Sequence, residues 1–197
     1  KNKLKETYPL TEMRGDGQVV VVKFGSMNVE VVPVFLLTSG KYFVCDTNNG
    51  GSYKIADPVS EKNHISYIHN LCNYNLRPLI KMIKTWQSYC NVPIKSFYLE
   101  LLVADFLSQS SWKDKGYFYY DWLIRDFFKY MQAKEDDVVC VPGTLDFLNI
   151  GNEWKSRCEM AYNRAVKACE YEHDDLINLA GEEWQKIFGN NIPKNVL

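Results

Sequence analysis

Glu30 stands inside the apolar run Val29-Glu30-Val31-Val32-Pro33-Val34-Phe35. Period-2 alternation along a strand puts Glu30, Val32 and Val34 on one face and Val29 and Val31 on the other. A carboxylate buried among such neighbours is costly unless a cation or hydrogen-bond donors meet it, and a strand carboxylate at a cleft is a common way to hold Mg²⁺. The plainer use of the same residue is an edge-strand acid that blocks association between sheets. A second constellation lies downstream: Lys84, in Lys81-Met82-Ile83-Lys84-Thr85-Trp86, and Ser96, in Ile94-Lys95-Ser96-Phe97-Tyr98-Leu99-Glu100. A short loop between two antiparallel helices would bring them together. An ammonium, a hydroxyl and the free N–H groups of a helix N-terminus suit a triphosphate, while helix capping is their ordinary role. Cys169 and His173, four apart on one helix face, could share a zinc ion; without two further ligands in view, a core thiol beside a surface imidazole is the simpler account.

The elements that must position these residues are legible from punctuation and period. Gln18 to Phe24 and Asn28 to Phe35 are β-branched runs on either side of Gly25-Ser26-Met27, which predicts an antiparallel hairpin. Weaker strands, Tyr42 to Asp46 and Tyr53 to Ile55, flank the turn-rich Thr47-Asn48-Asn49-Gly50-Gly51. After Asp57-Pro58 the period becomes helical: Ile65, Ile68, Leu71, Cys72, Leu76, Leu79, Ile80 and Ile83 share a face, with a kink or break expected at Pro78. Further helices are expected over Ser96 to about Gln109, N-capped near Lys95-Ser96, then Tyr117 to Met131, Glu153 to Glu172 and Asp174 to Phe188. Gly189 and Pro193 stop the last. Glu135-Asp136-Asp137 and Pro142-Gly143 read as a solvated loop, and Trp86, Trp122, Trp154 and Trp184 as core. Strands followed by helices, without βαβ alternation, make an α+β plan, divided as residues 1–58 (antiparallel strands) and 59–197 (a helical lobe).

Bulk properties narrow the function classes. With 197 residues, 46% of them apolar, the chain can bury one core, or one core shared between a small sheet and a helical lobe. A formal net charge of -1 disfavours a long track of nucleic-acid backbone contacts. No apolar run has the length of a membrane span and no signal peptide is visible, so a cytoplasmic location without a membrane partner is expected. Six cysteines without a CxxC pair suggest reduced, mostly buried thiols.

Taken in order, the strand acid, Tyr53-x-x-x-Asp57-Pro58, Lys84-x-Trp86, Ser96-x-x-x-Glu100 and the closing Glu183-Trp184-Gln185-Lys186-Ile187-Phe188-Gly189 resemble the CD-NTases, the cyclic-oligonucleotide synthases of bacterial anti-phage defence. These belong to the DNA polymerase β-like nucleotidyltransferases. The resemblance runs from Leu4 to Pro193. It implies a partial polymerase-β-like nucleotidyltransferase sheet followed by a C-terminal helical lobe. It further implies Glu30 as the third carboxylate of a two-Mg²⁺ site, Lys84 and Ser96 at the triphosphate, and Tyr53 and Asp57 in the segment lining the nucleotide pocket, where Tyr53 is as readily a packed core tyrosine. The implied partners are nucleoside triphosphates (ATP, GTP, UTP or CTP) and defence-operon regulatory proteins.

One departure from the family pattern is plain. The Gly-Ser turn and the first two carboxylates should precede Glu30; Gly25-Ser26 has no D-x-D after it, and Asp16 stands alone. The expectation is therefore a C-terminal portion of a nucleotidyltransferase, inactive alone, whose missing segment lies upstream or in a partner subunit. Two other readings remain: a nucleotide-binding or protein-docking module that has lost catalysis, and an RNA 3'-end nucleotidyltransferase. The mild acidity of the chain speaks against the latter.

Overall fold

The computed structural model describes residues 1–47 and 50–194, so the expected turn at Asn48-Asn49 and the terminal Asn195-Val196-Leu197 lie outside the described residues. The chain divides into two compact units, Lys1–Glu61 and Lys62–Leu197.

The first unit begins with a short helix, α1 (Asn2–Thr7), then carries two three-stranded antiparallel sheets. Strands β1 (Glu12–Asp16), β2 (Val19–Phe24) and β3 (Met27–Val31) form one, in sequence order; β4 (Val34–Leu36), β5 (Tyr42–Asp46) and β6 (Ser52–Ala56) form the other. The expected hairpin is β2–β3, closed at the Phe24↔Met27 pair so that Gly25 and Ser26 alone make the turn. The single run expected from Asn28 to Phe35 is instead cut at Val32-Pro33, and its two pieces join different sheets. Pro33 supplies the reason: it has no N–H for a ladder and fixes its own φ. Alternation therefore relates Val29, Glu30 and Val31 but does not carry across to Val34.

The division between the units falls within α2 (Pro58–Leu71). The helical unit continues with α3 (Leu76–Tyr89), α4 (Ser96–Gln109), a 3-10 turn at Tyr117–Tyr119, α5 (Tyr120–Gln132), α6 (Lys155–His173) and α7 (Ile177–Phe188). The break expected at Pro78 comes earlier, at Cys72–Asn75, where Asn73 and Tyr74 adopt positive φ of 48° and 62°. Pro78 sits in the first turn of α3, where its missing N–H costs no helical hydrogen bond. Where a solvated loop was expected, β7 (Val138–Cys140) and β8 (Phe147–Asn149) pair as a small hairpin with Pro142-Gly143 in its connection. Val139 and Val141 are buried there.

Core packing in this unit is dense. Leu79, Ile83, Leu102, Phe127, Phe128, Met131 and Trp154 are at most 2% exposed, and the Trp86 and Phe128 rings meet edge to face at 4.9 Å. In α6 the buried stripe is small (Cys158, Ala161, Ala165, Ala168), which lets α7 approach closely. Of the tryptophans expected in the core, Trp86, Trp154 and Trp184 are buried, whereas Trp122 is 41% exposed. The thiols of Cys72, Cys158 and Cys169 are buried, Cys45 and Cys90 half-buried and Cys140 exposed, and all six are free. No helix among the described residues is long and apolar enough to cross a membrane.

Candidate functional site

Helix α3 turns Leu76, Leu79, Ile80, Ile83 and Trp86 inward. At the same helical spacing, its opposite face sets Lys81, Lys84, Thr85 and Ser88 along an open groove of about 650 Å³. Tyr89 and the chain leaving α7, Phe188 to Asn191, complete the walls. Gly189 makes that exit possible: its φ is +85°, and a Cβ there would stand 3.1 Å from the Tyr89 ring.

Lys84 and Ser96 do meet a common seam, that between α3 and α4, but each has its own partner. The Lys84 ammonium is ion-paired with Glu100 of α4. The Ser96 hydroxyl donates to Gln87 Oε1 at 2.8 Å, and the Gln87 amide donates onward to the Ile94 carbonyl. Ser96 is the first residue of α4, after Lys95, so it is not the side-chain cap expected of it. It also lies outside the groove lining, which Lys84 shares with Lys81. Lys81, Thr85 and Ser88 went unnoticed in the sequence, although the polar stripe complementary to α3's buried face was there to find.

In the first unit Glu30 is exposed on β3, one of the two edge strands of its sheet. It lies opposite Val21, which in turn lies opposite Arg14, and Arg14 pairs with Asp16 at 2.9 Å. The expected burial of this carboxylate is thus overturned: apolar neighbours in sequence do not bury a residue when most of the strand is open, and Met27 to Glu30 are all exposed. A solvated carboxylate needs no counter-charge to persist and is free to accept one.

Tyr53 is 63% exposed on β6, so a packed core tyrosine is excluded. Its ring stacks on Phe43 of β5, centroids 4.7 Å apart and 10° from parallel. Asp57 caps α2: Oδ1 accepts the Ser60 backbone N–H at 3.0 Å and Oδ2 the Ser60 hydroxyl at 2.8 Å. These two bonds hold its carboxyl below the usual aspartate range, and the helix starts on Pro58.

The Cys169–His173 pair resolves in favour of a core thiol beside a surface imidazole. Cys169 is buried and its thiol pushed up to about 12 by desolvation, while the side chain of His173 is 87% exposed. Among the described residues no group of three or more His, Cys, Asp or Glu side chains is placed to hold a metal ion.

Comparison with known proteins gives this geometry a context. Residues 1–68 match the Second Messenger Oligonucleotide or Dinucleotide Synthetase domain family. A Bacillus cereus protein named "probable cyclic nucleotide synthase" is 25% identical over 84% of this chain and 52% of its own length. Escherichia coli DncV, solved in a 3'-deoxy GTP bound form, superposes with a TM-score of 0.76 at 13% identity, covering 98% of this chain and 55% of that one. A mutant of Vibrio cholerae DncV, a di-nucleotide cyclase solved with ATP, GTP and 5MTHFGLU2, gives 0.74 at 13% identity, over 92% and 54%. The chain spans about half the length of these relatives. The likeness to DncV carries the α+β nucleotidyltransferase fold, and the first third of the chain is similar to the synthetase domain family.

Proposed function

We propose that this chain is part of a nucleotidyltransferase that joins nucleoside triphosphates into a cyclic di- or trinucleotide signal, with release of pyrophosphate, in antiviral defence. The observation that carries the reading is the α3 groove, where Lys81 and Lys84 stand beside the Ser88 hydroxyl in a chain that follows the DncV fold over 98% of its length. Two ammonium groups and a hydroxyl suit the dense negative charge of a triphosphate. Glu100 presets Lys84, so an arriving phosphate exchanges one anionic partner of that ammonium for another rather than ordering a free side chain. Ser96 keeps the start of α4 tied to α3 through Gln87. The exposed Tyr53 face, backed by Phe43, offers a flat surface of the kind a nucleobase stacks on.

The family implies Mg²⁺. Glu30 is one free acceptor, but the described residues contain no ligand group of three, so they do not fit a complete two-metal site. The reading places the remaining ligands in the part of the longer protein not represented in this sequence, and gives Glu30 one position among them. That single carboxylate also favours a second reading, a nucleotide-binding module without turnover.

Equilibrium titration with fluorescent ATP and GTP tests the groove. Lys84→Ala is expected to weaken binding by about tenfold, the scale of one charge-assisted hydrogen bond; unchanged binding would remove the groove from the reading. Incubating the full-length protein with labelled triphosphates and Mg²⁺ then separates synthase from binding module: phosphatase-resistant products select the first, binding without turnover the second.

A further inference from the structure

On another face of α3 the helical unit holds a cavity that the triphosphate groove does not use. It has a volume of about 260 Å³ and is walled by Trp86 and Cys90 at the end of α3, Arg157, Met160, Ala161 and Arg164 of α6, and Lys186 and Ile187 of α7. It shares no lining residue with the groove.

Its electrostatics are unbalanced. Arg164 Nη1 and Lys186 Nζ both bond Glu183, at 3.0 and 2.6 Å, so one carboxylate serves two cations. Arg157 is a third: its Nε donates to the Cys90 carbonyl at 3.0 Å, and it makes no ion pair among the described residues. The half-buried Cys90 thiol is pushed up by burial, while Arg164 and Arg157, which line the same cavity, pull the other way.

A second, independent observation points the same way. Trp86 is 0% exposed, and its indole N–H has no hydrogen-bond partner among the described residues. A buried N–H left unpaired is costly, and this one belongs to a side chain on the wall of a cavity with surplus positive charge. Guanidinium, ammonium and indole N–H groups are all donors without acceptor capacity, and planar guanidinium forks match the oxygens of a phosphate. Met160, Ala161 and Ile187 give the cavity an apolar side against which a small organic body can lie.

We propose that this cavity is a binding site for a small phosphate-bearing molecule, held by Arg157, Arg164, Lys186 and the Trp86 N–H. It is separate from the triphosphate groove and does not depend on the catalytic reading. It gives a role to Trp86 of Lys84-x-Trp86 and to Lys186 of the closing Glu183-to-Gly189 motif, which the groove leaves unexplained.

The test is the thermal midpoint of the full chain in chloride buffer with millimolar inorganic phosphate. Binding to the folded state alone should raise it by about 2–4 °C. Arg157→Gln should abolish the rise. Trp86→Phe, which keeps a ring but removes the N–H, should lower the ligand-free midpoint by the cavity it leaves in the core and, measured against that new midpoint, weaken phosphate binding about tenfold. Lys84→Ala should leave the rise intact. The proposal is overturned by any of three results: no rise at all, a rise that survives both Arg157→Gln and Trp86→Phe, as general salt exclusion would give, or a rise lost in Lys84→Ala, which would assign the phosphate to the groove.

Discussion

The two units of this chain are built on opposite economies of apolar surface. In the sheet unit the buried apolar side chains are Met13, Val21, Val22 and Val44, while Phe35, Leu36, Tyr53 and Ile55 stand 46–69% exposed. Register puts Phe35, Phe43 and Ile55 in one row across β4–β6, with Tyr53 next along on the same face. The helical unit buries whole aromatic rings and long aliphatic stripes on α3, α4 and α5. What differs is where the burden of stability falls: the helical unit holds itself together by packing, whereas the sheets rest on ladder hydrogen bonds and leave apolar surface available for contact.

Paired substitutions can break this contrast. Phe127→Ala, in the helical core, is expected to cost about 3–5 kcal/mol in urea unfolding, while Phe35→Ala on the open sheet face should stay within about 0.5 kcal/mol. Equal costs would mean that the sheet face is covered in solution. Next in size is Gly189→Ala, which forces a side chain into positive φ and against Tyr89. A loss of about 1–3 kcal/mol is expected, with weaker ATP binding because the groove wall shifts; an unchanged midpoint with unchanged binding would show that the α7 exit is not a fixed wall.

Charges embedded in the helical packing should sharpen the contrast further, with opposite signs on neighbouring helices. Burial pushes the Glu183 carboxyl up, but hydrogen bonds and charge from Lys186 and Arg164 outweigh it and hold the group below the ordinary value of 4.5. Its stabilising contribution is therefore present above 4.5 and fades as pH falls through the lower folded value. Glu172 is displaced the other way, by burial and by the neighbouring Asp121 carboxyl, against a 2.8 Å bond from Trp184 Nε1. Its contribution is present below 4.5 and is lost as pH rises through the higher folded value. At neutral pH, Glu183→Gln should lower the melting temperature and Glu172→Gln raise it, and melts across an acid series should show both differences shrinking. The smallest effect is expected at the α3–α4 seam: Ser96→Ala removes one exposed hydrogen bond to Gln87, about 0.5 kcal/mol by thermal melt, and a larger loss would give Ser96 a structural role beyond that bond.

Legibility followed the range of the interactions. Helix α4 lies where it was expected, Ser96–Gln109, because its apolar positions and flanking breakers are local. The β2–β3 hairpin was equally local. The break before α3 was misplaced because Pro78 is the louder signal, although Asn73 and Tyr74 do the work of ending α2 through backbone conformation. The β7–β8 hairpin was missed because three-residue strands among acidic residues carry almost no period. Glu30 shows the deeper limit: whether Val29 to Phe35 is inside or outside depends on what lies over β3, and no local pattern records that. Lys84 and Ser96 do lie at one helix seam, as expected, but their separate partners, Glu100 and Gln87, are set by how α3 and α4 slide along each other, which spacing within either helix does not fix.

The distribution of the six free thiols has a practical consequence. Cys72, Cys158 and Cys169 are buried and, like half-buried Cys90, have their thiols pushed up by desolvation, which suppresses the reactive thiolate. Cys140, exposed at the end of β7, is the natural first target for a maleimide dye. With Cys45 replaced by serine, the otherwise native chain becomes a nearly single-label protein, its fluorophore fixed on the β7–β8 hairpin as a reporter for the helical unit.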